Sequence, residues 1–274
     1  MATDVRTLET QTTHDAPSGL LWALRDSWNE AGRHLRAVPR SPELLVFSTL
    51  QPIMFVLLFR YVFGGAIDTP GYSSYAQYLI PGIFAQTVVF GSSFTAVGLA
   101  DDLSKGFIDR LRSLPISQGA VLIGRTLSDL ARNVFTFLVM LLVSFLVGFR
   151  LEGGIGPAIV ATALMLAFSY SFSWIQAWIG LSVSSVEAAN SAGFIWMFPL
   201  TFVSSAFVPT DTMPAAMRWF AERNPFTIVT NAARALYSGN PVGSDAWVSF
   251  AWAAGITVVF ATISIRAFTR SAAR

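Results

Sequence analysis

The side chains able to do chemistry are gathered in one short stretch. Asp101–Arg125 (DDLSKGFIDRLRSLPISQGAVLIGR) holds the chain's only lysine, three arginines and three aspartates, with long uncharged segments on both sides. Arg125, Asp129 and Arg132 then follow at spacings of four and three, which puts them on one helix face. Other chemistries are excluded by residue type. Zero Cys removes disulfides, thiolate metal sites and cysteine nucleophiles. The two histidines, His14 and His34, leave no zinc cluster and no Ser/His/Asp set beyond the amino-terminal region. No G-x-x-x-x-G-K-[ST] is present to cradle nucleotide phosphates. No residue is predicted to be catalytic, and no cofactor is expected on this chain. What remains is charge pairing.

The charged stretch has a helical pattern of its own. Phe107, Leu111 and Leu114 fall on one stripe, while Asp109, Arg112 and Ser113 face the other way and Lys105 and Arg110 flank it. Pro115 ends the pattern by biasing Leu114 away from helical backbone. This predicts a short amphipathic helix at the cytoplasmic surface. A merely solvated connection would carry the same charges, so the role has to come from the surrounding elements.

Those elements are membrane spans. The chain is 53% hydrophobic and only 12% charged, with a mean hydropathy of +0.55, whereas soluble domains carry about 25% charged residues. A bilayer crossing needs about 20 apolar residues. Six segments qualify: roughly 44–63, 78–100, 126–149, 157–183, 189–208 and 247–267. The third is expected to enter the apolar core only near Val134, with its charged first turns projecting into the cytoplasm. The fold class is therefore an all-α membrane protein with six transmembrane helices. Residues 1–19 are polar and read as a disordered cytoplasmic tail. Residues 20–43 form an amphipathic interfacial segment, helical over 20–38, with Leu21, Leu24, Trp28 and Leu35 set against Arg25, Asp26, Glu30 and Arg33. The membrane domain covers 44–268, and 269–274 form a short cytoplasmic tail.

Orientation follows from the basic residues. With both termini inside, thirteen of the eighteen Lys and Arg lie in the cytoplasm, leaving Arg60, Arg150, Arg218, Arg223 and Arg234 outside. The positive-inside rule selects that arrangement. Between spans five and six, Pro214 and Pro225 each stand where a helix would begin, and Asn224 is a good cap for the second. Two short re-entrant or capping helices are expected there. No span carries Asp, Glu, Lys or His in its core, so nothing at the midplane would bind a coupling ion. Energy must enter elsewhere, and the cytoplasmic amphipathic helix is the available port.

The residues then resemble a known family. KGFIDRLRSLPIS (Lys105–Ser117) with GRTLSDLARN (Gly124–Asn133), NPFTIVTNAARALYSG (Asn224–Gly239) and QPIMFVLLFRYVFGGAI (Gln51–Ile67) are similar to the permease subunits of ABC-2 type transporters, especially the daunorubicin/doxorubicin-resistance group. The resemblance implies that two permease chains, identical or related, pair to give twelve spans. Two copies of a separate ABC ATPase subunit, which bind ATP and Mg, would dock on the cytoplasmic face. It also implies ATPase coupling through this stretch: Phe107, Leu111 and Leu114 as apolar anchors, Asp109, Arg110 and Arg112 in charge-assisted bonds, Lys105 beside them, and Arg125, Asp129 and Arg132 extending the lever into the third span.

For an apolar cargo at the seam between permeases, the pathway candidates are Phe84, Gln86, Phe90, Ser93 and Phe94 in the second span. Asn190, Trp196, Phe198 and Phe202 are their counterparts in the fifth. Gln176 is expected to hydrogen-bond between helices. The leading reading is the membrane half of a multidrug or lipid exporter in the plasma membrane of a bacterium, surrounded by lipid and without nucleic-acid partners. A permease for a cell-envelope glycan or lipid-linked polysaccharide is the alternative within the family. Channels, ion-coupled secondary transporters and membrane-bound enzymes lie outside it.

Overall fold

The computed structural model describes residues 42–63, 67, 69, 71–106 and 118–271. The predicted interfacial helix over 20–38 and the stripe Phe107–Leu114 lie outside the described residues. Every regular element described is helical. The helices are α1 (Pro42–Leu58, continuing as a π-helical turn Phe59–Phe63), α2 (Tyr75–Gly91), α3 (Ser93–Ser104), α4 (Gln118–Leu146) and α5 (Ile155–Ser182). They are followed by α6 (Val186–Ile195), α7 (Met197–Phe202), a 3₁₀ turn Thr210–Thr212, α8 (Ala215–Arg223), α9 (Pro225–Ser238) and α10 (Asp245–Ser271).

Four helical stretches are long and apolar enough to cross a membrane: Tyr75–Ser104, Val121–Leu146, Ile155–Ser182 and Asp245–Thr269. They match the second, third, fourth and sixth expected spans, and the chain is membrane-embedded. The other two differ from expectation in form. The first pairs an α-helix with a π-helical end, and among the residues whose side chains are described its apolar part covers Thr49–Val62. The fifth, expected over 189–208, is helical only from Val186 to Phe202, broken at Trp196, and irregular beyond.

The helix α5 is the mast on which the bundle is hung. Helices α10, α3, α9, α4 and α2 all pack against it. Its buried face is rich in small residues (Ala158, Ala161, Ser169, Ala177, Gly180), which lets backbones approach closely where lipid supplies no hydrophobic drive between helices. At Gly180 a Cβ would overlap the backbone of Ala96, so α3 and α5 touch main chain to main chain. Gln176, as expected, ties α5 to α6, donating to Gly193 O at 3.2 Å.

In an apolar medium every released carbonyl needs a donor. The second span breaks at Ser92, between α2 and α3, while Pro81 lies well inside α2. Around that break Ser92 and Ser93 hydroxyls donate to Val89 O and Phe90 O. Asn133 Nδ2 and Ser169 Oγ both donate to Val88 O, at 3.1 and 2.6 Å, and Asn133 also donates to Ser169 Oγ.

The same accounting holds at the other end, after α7. Asn224 Nδ2 donates to Leu200 O (2.6 Å) and Val203 O (2.9 Å), while its Oδ1 caps α9 by accepting from Phe226 N. Tyr78 and Tyr75 hydroxyls donate to Ser205 O and Phe207 O. Arg234 is fully buried, donating to Tyr78 O, Ser205 O and Asn231 Oδ1, and its guanidinium stands 3.7 Å over the Tyr78 ring. Burial pulls that guanidinium below the usual arginine range, while the tyrosines around it favour its charged form. The two short helices expected from Pro214 and Pro225 are present as α8 and α9.

Asn224→Ala removes a helix cap and two carbonyl donors at once. The solubilised protein should lose about 1–3 kcal/mol of stability, read as an earlier thermal transition. An unchanged transition would mean that the irregular segment is held by other contacts.

Candidate coupling and transport site

The face predicted from spacing alone forms a continuous chain of charge against α3. Arg125 Nη1 donates to Asp102 Oδ2 at 3.0 Å, and its Nε stands 3.6 Å from Asp129 Oδ2, an ion pair without a hydrogen bond. Asp129 Oδ2 accepts from Thr95 Oγ1 at 2.6 Å, and its Oδ1 pairs with Arg132 Nη2 at 2.9 Å. Arg132 Nη2 also donates to Gly91 O at 3.2 Å, and the guanidinium lies 4.3 Å from the Phe94 ring centroid. Among the described residues the chain of charge holds two arginines and two aspartates. Gly98 makes the approach possible, since a Cβ there would overlap the Arg125 guanidinium.

These turns of α4 pack against α3. Asp129 is 3% exposed, and its charge is spent inside the chain, locking α4 to α3. Those two helices are the ones joined by the stretch 105–117. Lys105, at the end of α3, is exposed and pairs with Asp101 at 2.7 Å, which raises the ammonium pKa above its ordinary value. Phe107, Asp109, Arg110, Leu111, Arg112 and Leu114 lie outside the described residues.

Beside this clamp is a cavity of about 230 Å³ between α1, α2, α3, α4 and α6. Four of the pathway candidates line it: Gln86, Phe90, Ser93 and Phe94. They are joined by Gln51, Phe55, Thr87, Arg132, Asn133, Thr136 and Phe194. From its wall an aromatic ladder continues. Phe90 meets Phe198 edge-on at 5.2 Å, Phe198 stacks with Phe202 at 5.9 Å, Phe202 with Phe207 at 5.1 Å, and Phe207 with Phe59 at 4.7 Å. Phe198 and Phe202 remain partly exposed.

The remaining candidates sit apart. Phe84 is fully buried in the core, against Phe137 (4.9 Å), Phe149 and Tyr237. Trp196 stacks on Phe172 at 5.3 Å, and Asn190 is on the exposed face of α6. Sequence reasoning did not single out Phe55, Phe194, Thr136 or Asn133 as cavity residues. Asn133, an amide within an apolar run one residue after Arg132, was the one visible signal among them.

Four helices long and apolar enough to cross a membrane define a polytopic membrane protein. The chain belongs to the ABC-2 type transporter family, whose model matches residues 31–237. It is 34% identical over 236 residues to the daunorubicin resistance ABC transporter permease protein DrrB1 of Streptomyces coeruleorubidus, covering 86% of this chain and 83% of that one. It is 26% identical over 217 residues to a probable doxorubicin resistance ABC transporter permease protein DrrC of Mycobacterium tuberculosis, 79% and 78% of the two chains. A putative transport permease of Cyanophora paradoxa, ycf38, is 28% identical over 212 residues, 73% and 69% of the two chains.

Removing one member of a buried pair leaves the other charge uncompensated, which costs about 3–5 kcal/mol. Asp129→Asn should therefore destabilise the protein far more than Asp101→Asn, whose partner is in solvent. Comparing the thermal unfolding of the two variants checks this. Equal, small shifts would show that the clamp is not closed in the membrane.

Proposed function

We propose that this chain is the membrane-spanning permease subunit of an ATP-driven ABC exporter that moves a hydrophobic drug, lipid or lipid-like metabolite out of a bacterial cell. The observation that carries the reading is Arg132, which belongs both to the α3–α4 clamp and to the cavity wall. A displacement applied where α3 and α4 meet the 105–117 connection would be passed through the clamp to the pocket. The apolar lining and the aromatic ladder suit an apolar cargo better than a glycan. The drug-resistance permeases among the relatives support export.

In this reading the chain crosses the plasma membrane six times with both termini in the cytoplasm, and it pairs with a second permease chain. Two separate ATPase subunits bind ATP and Mg and dock on the 105–117 connection. Phe107, Leu111 and Leu114 make the apolar contacts there. Asp109, Arg110 and Arg112 set orientation and specificity through charge-assisted bonds. The chain has no ATPase site of its own.

Two measurements test this. The double variant Arg110→Glu/Arg112→Glu should fail to co-purify with the ATPase subunit and should lose export, while folding normally. Purified permease alone should hydrolyse no ATP. An undiminished complex with full export, or hydrolysis without a partner, would overturn the reading.

A further inference from the structure

Gln86 is the unexplained polar group of the cavity. It is only 4% exposed, and its Nε2 has no hydrogen-bond partner among the described residues. A buried amide left in that state is destabilising unless something else satisfies it. Three of its polar neighbours already donate elsewhere. Asn133 donates to Val88 O and Ser169 Oγ, Thr87 Oγ1 to Ile83 O, and Ser93 Oγ to Phe90 O. Arg132 is donor-only and carries more N–H groups than its bonds to Asp129 and Gly91 O consume. The cavity thus has surplus donors and aromatic walls.

We propose that this cavity is a binding subsite for the hydrogen-bond-accepting end of a neutral aromatic amphiphile, selected by Gln86. The ligand group is an acceptor because the unsatisfied atom of the selecting side chain, Gln86 Nε2, is a donor. It is neutral because Arg132, the charged group among the described lining residues, is already paired with Asp129. It is one end of a longer molecule because the cavity, about 230 Å³, falls below the roughly 300–1,000 Å³ of a pocket that encloses a whole drug-sized ligand. Phe90 and Phe94 line the same cavity, and Phe90 leads on to the ladder. This deepens the export reading, since it names the chemistry of the cargo's polar end, but it is a property of the chain's own binding.

The test uses the full chain in lipid nanodiscs and three naphthalene probes read by quenching of tryptophan fluorescence. They are 1-naphthyl nonyl ketone, 1-decylnaphthalene (methylene in place of carbonyl) and 4-decyl-1-naphthoate (an anion). The wild-type chain should bind the ketone about tenfold more tightly than the hydrocarbon, the yield of one hydrogen bond in an apolar site, and more tightly than the carboxylate. Gln86→Leu should erase the ketone preference and leave hydrocarbon binding within about twofold, which also reports that the pocket is intact. Gln86→Asn, one methylene shorter, should keep part of the preference. Equal affinity for ketone and hydrocarbon in the wild type, a preference that survives Gln86→Leu, or tighter binding of the carboxylate would each overturn the proposal. Export of a hydrophobic dye by the assembled complex is measured separately. Export without ketone preference removes only the subsite, and ketone preference without export removes only the exporter reading.

Discussion

The structure depends on what happens to the carbonyls released where the second span breaks at Ser92. In water such groups would be hydrated. In hydrocarbon each must find a donor within the protein. Val88 O is taken by Asn133 and Ser169, and Gly91 O by Arg132, so the third and fourth spans are tied to the break by hydrogen bonds with fixed geometry. Once Arg132 is committed there, its charge has to be neutralised locally. Asp129 does that, Arg125 joins Asp129, and Asp102 returns the chain of charge to α3. A single irregularity in one span thereby ties down two others, the third and the fourth.

The cavity lies against the same turn, bounded by Gln86, Phe90 and Arg132. Rigidity and vacancy are consequently neighbours, sharing one arginine. That is the arrangement a permease driven by a separate engine would use. The helices flanking the connection are bound as one body, and the movable contents of the pocket lie against it. At the opposite end, Asn224 and Arg234 solve the corresponding problem for the irregular segment after α7, holding it with side-chain donors in place of helix bonds.

How much of this was legible in the sequence varied with how local the signal was. Pro214, Asn224 and Pro225 announce two short helices because caps and proline act within one turn, and both helices are present. The 4-and-3 spacing of Arg125, Asp129 and Arg132 announced a common face. It did not announce what the face meets, because the partners Asp102, Thr95 and Gly91 come from another helix and are apposed only by tertiary packing. That those turns pack on α3 was not legible from spacing. The break at Ser92 was illegible for a related reason: it has no proline, and its support comes from Asn133 and Ser169, 41 and 77 residues further along. Among the pathway candidates, Gln86, Phe90, Ser93 and Phe94 meet at one cavity, but Phe84 lies in the core. In a helix that is apolar all round, periodicity does not say which stripe faces which neighbour.

The central claim is that α3 and α4 move as one body when work arrives at their connection. The chain contains no cysteine, so pairs of spin labels are readily introduced. One pair, Ser104→Cys with Leu127→Cys, spans the clamp. A second, Ser104→Cys with Thr269→Cys, links α3 to the end of α10. In the complex with its ATPase, the account predicts that adding ATP leaves the first distance and its width unchanged while the second shifts. A change or broadening across the α3–α4 pair on ATP binding would contradict it.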